Sequence, residues 1–96
     1  MGKVMDEEMK TRSKVLAEAE EIINGERAVD YGDAKESFQA ISRMWSAYIG
    51  IDVSSADVCH MMTLLKIARL RRGPHRDSSI DACGYMALSV ECDEAN

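Results

Sequence analysis

Apolar residues return along this chain at three- and four-residue steps, and four such runs are separated by glycine, proline or serine breaks. Val15, Leu16, Ala19, Ile22 and Ile23 mark a first helix, expected to end at Asn24-Gly25, where glycine can adopt a left-handed cap. Phe38, Ile41, Trp45 and Tyr48 make the apolar stripe of a second helix, capped by Asp33 with Glu36 at the capping-box position and closed by Gly50. A third helix opens at Ser54 or Ser55, has Asp57 in its first turn, and runs to about Leu70. Its apolar residues, from Val58 through Met61, Met62, Leu64 and Leu65 to Leu70, cover most of its circumference, so it is expected to be the central, most enclosed helix. The last helix begins near Asp77, Ser78 or Ser79 and carries Ile80, Cys83, Ala87, Leu88 and Val90, with Gly84 allowing close packing.

Between these runs lie a turn-rich loop, Gly25 to Asp33, and a basic connector, Arg71-Arg72-Gly73-Pro74-His75-Arg76, in which Gly73 and Pro74 stop a helix. With no strand alternation and no repeat, the fold class expected is all-α, a compact bundle of about four helices. The 96 residues suffice for one domain spanning 1–96, with 1–12 and 92–96 fraying at the ends.

Composition narrows the setting. Hydrophobic residues at 46% and charged residues at 30% describe a globular chain, and a net charge of -5 speaks against general DNA binding. No apolar run approaches the roughly 20 residues that cross a bilayer, and the start of the chain turns acidic at Asp6-Glu7-Glu8, so no membrane is expected and the location expected is the cytosol. Cys59, Cys83 and Cys92 are odd in number, lack CxxC spacing and sit within apolar helical patterns, which reads as free buried thiols.

Two features stand out from this background. Asp77, Asp81 and Tyr85, spaced four apart, lie on one helical stripe, and two carboxylates at that spacing repel by roughly 0.2 to 0.5 kcal/mol unless a cation sits between them. That cation is either Mg²⁺ or a basic side chain: Asp77 caps the helix while Asp81 pairs with Lys66 or Arg69 in the second version. Lys66 and Arg69, followed by Arg71, Arg72 and Arg76, crowd positive charge at one end of the bundle. Phosphate oxygens take bidentate arginine and point-charge lysine, so a cationic end facing the two aspartates suits a nucleoside triphosphate with Mg²⁺; equally, these cations neutralise a helix C-terminus and neighbouring acids. His60 and His75 have no partner at ligand spacing, the sequence shows no nucleophile such as Ser78 beside them, and they are assigned no chemistry.

The segments Asn24-Gly25-Glu26-Arg27, Asp30-Tyr31-Gly32-Asp33, Trp45-Ser46-Ala47-Tyr48, Leu64-Leu65-Lys66-Ile67-Ala68-Arg69 and Asp77-Ser78 with Asp81, Gly84 and Tyr85 resemble, in order and spacing, the phage and prophage family DUF6378. The resemblance covers about residues 15 to 90. More distantly, the Lys-x-x-Arg helix followed by Asp-x-x-x-Asp-x-x-Gly-Tyr is similar to the MazG-like all-α nucleotide pyrophosphohydrolases. That resemblance implies Mg²⁺ held by acids on neighbouring helices, with Asp77 and Asp81 as catalytic and metal-holding candidates and a second acid from Glu36, with Asp33, or Asp57, or Glu18 with Glu21. It implies Lys66, Arg69 and Arg76 on phosphates, a pocket completed by Arg27, Asp30, Tyr31 and Tyr85, and a homo-oligomer. No acidic pair here reproduces the MazG Glu-x-x-Glu arrangement, and Ala34 stands where the family commonly has proline. The other expectation is a non-enzymatic acidic protein that inhibits a host defence complex, as anti-CRISPR proteins do, with the partner a host protein complex in place of a nucleotide. A third leaves every charge structural in a phage accessory protein.

Overall fold

The computed structural model describes residues 9–25 and 34–94, which form an all-α fold of four helices: α1 (Thr11–Asn24), α2 (Ala34–Ile49), α3 (Ser55–Ala68) and α4 (Arg76–Glu94). A short 3-10 turn, Arg69–Arg72, continues α3 into the connector. Strands are absent among the described residues.

Local chemistry sets the element ends. Ser54 caps α3 by accepting from the Asp57 backbone N–H at 3.0 Å, while Asp57 Oδ2 accepts from the Ser54 N–H at 3.0 Å, a reciprocal capping box. Gly50 takes φ 83° and its N–H bonds the Ser46 carbonyl at 2.8 Å, as expected of a closing glycine. Gly73, at φ 128°, ends the 3-10 turn, and only a residue without Cβ adopts that backbone at low cost. Gly25 departs from expectation: its φ of -89° and ψ of -154° are extended, not left-handed. The constraint there is closeness, because a Cβ on Gly25 would run into Glu21.

α3 and α4 form an antiparallel hairpin, with Lys66 opposite Asp81 and Cys59 opposite Cys92. On the other side of α4 lies α1, running parallel to it: Glu18 meets Arg76 and, further along both helices, Ile23 meets Gly84. α2 completes the core, where Phe38, Ala56, Val58, Cys59 and Cys92 are buried and Ile41, Trp45, Met62, Tyr85 and Leu88 pack against them. All three cysteines are thiols, Cys59 and Cys92 buried and Cys83 half-buried. Helix α4 continues to Glu94, held at its end by buried Cys92.

Two expectations about burial are corrected. Tyr48 is 92% exposed, because the chain turns back across Ser46 rather than Tyr48: the Ser46 hydroxyl accepts from the Val53 N–H at 2.8 Å and donates to its carbonyl at 3.2 Å. The third helix packs on both α2 and α4, yet it is not enclosed, for Leu64, Leu65 and Ile67 are half or more exposed. Three layers of helix are too few to cover an apolar helix on every side.

Candidate functional site

The α3–α4 hairpin places the expected residues at one end of the fold. Lys66 Nζ lies 3.0 Å from Asp81 Oδ2, with the lysine side chain 15% and the carboxylate 30% exposed. Of the two cations that could sit against the aspartate stripe, the structure supplies the basic side chain. One turn further along α4, Tyr85 packs edge-on against Phe38, ring centroids 6.3 Å apart, so its ring is part of the core. Asp77 is exposed in the first turn of α4, where its charge suits the helix dipole.

The other carboxylates named from the sequence do not join this pair. Asp57 is committed to its capping box, and those hydrogen bonds from Ser54 hold its carboxyl below the usual carboxylate range. It stands nine residues before Lys66 on the same helix, about 13 Å along the axis from the ion pair. Glu36 is exposed on the first turn of α2. No group of three or more histidine, cysteine, aspartate or glutamate side chains able to hold a metal exists among the described residues. Among the described residues, then, Asp81 is engaged by Lys66 and is not joined by the further acids that the sequence offered. Arg27, Asp30, Tyr31 and Asp33 fall outside the described residues.

Positive charge, by contrast, is gathered and available. An open cleft of about 390 Å³ lies where α3 ends, lined by Leu65, Ala68, Arg69, Arg71, Arg72 and His75. No carboxylate of the described residues pairs with Arg69, Arg71 or Arg72, whereas Lys66 pairs with Asp81 and Arg76 with Glu18. The expected phosphate ligands therefore separate: Arg69 lines the cleft, whereas Lys66 and Arg76 are each engaged by an acid. The 3-10 turn is what groups the arginines, since three residues per turn fold Arg69, Arg71 and Arg72 tightly around the helix end.

His75, to which the sequence assigned nothing, has a definite task. Its Nδ1 accepts from the Ser78 backbone N–H at 3.2 Å and lies 2.7 Å from the Ser78 hydroxyl, so the imidazole stands in for an N-cap side chain at the start of α4. Ser78 is 1% exposed, which bars a substrate from its hydroxyl and makes the pair a cap rather than a nucleophile and base. The signal lay in its place directly after Gly73-Pro74, three residues before Ser78. At the far end of the hairpin, burial and the neighbouring Cys92 push the Cys59 thiol up to about 12, so it is not a nucleophile.

Comparison with known proteins adds a lineage. A family model described as Domain of unknown function (DUF6378) matches residues 14–93. The chain is 52% identical over 76 residues to the Gene 55 protein of Mycobacterium phage L5, covering 77% of this chain and 49% of that protein. To the Gene 55 protein of Mycobacterium phage D29 it is 43% identical over 72 residues, covering 74% of this chain and 48% of the relative. The chain thus spans about half the length of the curated relatives it matches. No solved structure matches it. No helix of the described residues is long and apolar enough to cross a membrane.

Proposed function

From the premise that this chain belongs to the DUF6378 family of phage proteins, we propose that it is a binding module for phosphate-bearing ligands, nucleoside triphosphates foremost, acting in the host cytosol. The observation that carries this reading is the open cleft in which Arg69, Arg71, Arg72 and His75 surround an apolar floor of Leu65 and Ala68. A helix C-terminus carries about half a negative charge, which alone repels anions; three guanidinium groups around it outweigh that several-fold. Arginine forks take phosphoryl oxygens two at a time, and the apolar floor suits the face of a base. Along the sequence, residues 58–76 contain no acid and five lysine or arginine residues, so the positive field is concentrated although the chain is net -5.

Binding is favoured over hydrolysis here, because Asp81 is paired with Lys66 and the described residues hold no group of three or more side chains arranged to hold a metal ion. The pyrophosphohydrolase version needs Asp77 and Asp81 released to a metal and joined by a further acid. Thermal unfolding with ATP, with ADP and with inorganic triphosphate, each with and without Mg²⁺, separates these readings, since a ligand of the native state raises the midpoint. The expected result is a rise without Mg²⁺ that disappears in Arg71→Gln/Arg72→Gln and persists in Asp81→Asn. A rise that requires Mg²⁺ and vanishes in Asp81→Asn, accompanied by pyrophosphate release, would favour hydrolysis. No rise with any of them would overturn the nucleotide reading and direct attention to a protein partner.

A further inference from the structure

The outward side of α3 combines two properties that are not required by its packing on α2 and α4. Met61, Leu64, Leu65 and Ala68, at steps of three, one and three, form one apolar stripe, with Leu64 63% and Leu65 53% exposed. Charge brackets this stripe asymmetrically: Asp57 lies one turn before it, and Arg71 and Arg72 follow it, with no acid between. A helix that is apolar on nearly all sides belongs in an interior, and this one has water along half of its surface.

We propose that α3 pairs with α3 of a second copy of this chain, antiparallel about a two-fold axis passing close to Leu64 and Leu65. The self-complementary order of charges selects this occupant. When Leu64 is set opposite the partner's Leu65, Met61 falls opposite the partner's Ala68, and Asp57 falls opposite the partner's Arg72. Symmetry repeats each of these contacts, so one register buries both stripes and joins both pairs of opposite charge. A parallel pairing would instead set Arg71 and Arg72 of the two copies against one another. Asp57 Oδ2 is used by the cap, which leaves its other carboxylate oxygen for the partner's arginine.

The size of the face sets the strength. From Asp57 to Ala68 the stripe is about 17 Å long and a helix is about 10 Å wide, well short of the roughly 800 Å² per partner of a standard interface. The pair is accordingly a reversible, concentration-dependent dimer. Leu64 does not line the arginine cleft but Leu65, Ala68 and Arg72 do, so the pairing and a cleft ligand compete for that end of α3; tested without ligand, the pairing stands or falls separately from the binding reading.

Sedimentation velocity from micromolar to millimolar concentration is expected to show wild-type chain shifting from monomer to dimer, with Leu64→Asp remaining monomeric at an unchanged unfolding midpoint. Under a mild oxidant, Leu64→Cys is expected to cross-link into dimers, because the axis brings the two positions together, whereas Tyr48→Cys on α2, at a 92% exposed position, is not. Wild-type chain that stays monomeric throughout the range overturns the proposal and leaves the face to a different protein. Equal cross-linking of both cysteine variants, or none from Leu64→Cys, overturns the register.

Discussion

At the scale of single residues, the Lys66–Asp81 pair is the charge interaction with most at stake. Its members are 15% and 30% exposed, between the surface pairs whose net value is about 0 to 1 kcal/mol and the buried pairs whose breaking costs about 3 to 5 kcal/mol. Asp81→Ala is expected to lower stability by about 1 to 2 kcal/mol by leaving a half-enclosed ammonium unpaired, measured by urea unfolding. In a double-mutant cycle with Lys66→Met, the double variant should recover part of that loss; independent, additive losses would show the two groups do not interact. His75→Ala removes an imidazole cap and should cost about 0.5 to 2 kcal/mol, with His75→Asn restoring much of it, since asparagine carries an oxygen acceptor. Cys59 adds a dependence on pH. Folded, its thiol keeps its proton up to about 12; in the unfolded chain it releases it near 9.0. Between those values the unfolded state binds fewer protons, so stability is intact below about pH 9 and falls as pH rises toward 12. Cys59→Ala should lower stability at neutral pH and flatten that alkaline decline.

Among elements, the contact of α1 with α4 is the tightest in tolerance. A Cβ at Gly84 would stand 3.1 Å from Ile23 Cγ2, so the two helices meet there nearly backbone to side chain. Gly84→Ala gains roughly 0.5 to 1 kcal/mol of helix propensity, which offsets the few tenths of an ångström that Ile23 must yield, and should be close to neutral. Gly84→Val adds two methyls with nowhere to go and should cost about 1 to 3 kcal/mol, seen as a lower midpoint and faster proteolysis of α1. The same elements show what was legible beforehand. Asn24-Gly25, Ser54 with Asp57, Gly50 and Gly73-Pro74 are local signals, and the structure ends or starts helices at all of them. Tyr48 was misplaced because a helical stripe records which side is apolar but not how far the neighbouring helix extends. The enclosure expected for α3 failed for a related reason: an apolar circumference implies that a helix wants cover on every side without saying whether its own chain provides it. At the candidate site, Asp81 beside Lys66 and Arg69 could be read as a neighbourhood. Choosing lysine over arginine as the partner depended on the hairpin register set by the 3-10 turn, and an imidazole cap has no strong sequence signature.

Across the whole molecule, an acidic chain presents one basic end, and the consequence is directional. On the proposed reading, phosphate-bearing ligands would be drawn to the cleft by its local field, against the net charge of -5 of the chain as a whole. Because Arg69, Arg71 and Arg72 are exposed, raising the salt from about 0.05 M to 0.5 M shortens the Debye length to a few ångströms and should remove most of the ligand-induced rise in midpoint. A rise that survives such salt would mean the ligand is held mainly by the apolar floor.

The way α1 joins α4 also carries a consequence for the order of assembly. The α3–α4 hairpin is made from neighbouring stretches of chain, whereas the Arg76–Glu18 pair joins residues 58 positions apart. Closing that long loop is entropically the most expensive step, and it is repaid only once α4 exists as a platform. Helix α1 should therefore dock after the rate-limiting barrier: substitutions at Ile23 or Gly84 would speed unfolding and leave the refolding rate nearly untouched, while substitutions at Val58 would slow refolding itself. The first helix in the chain would be the last to arrive.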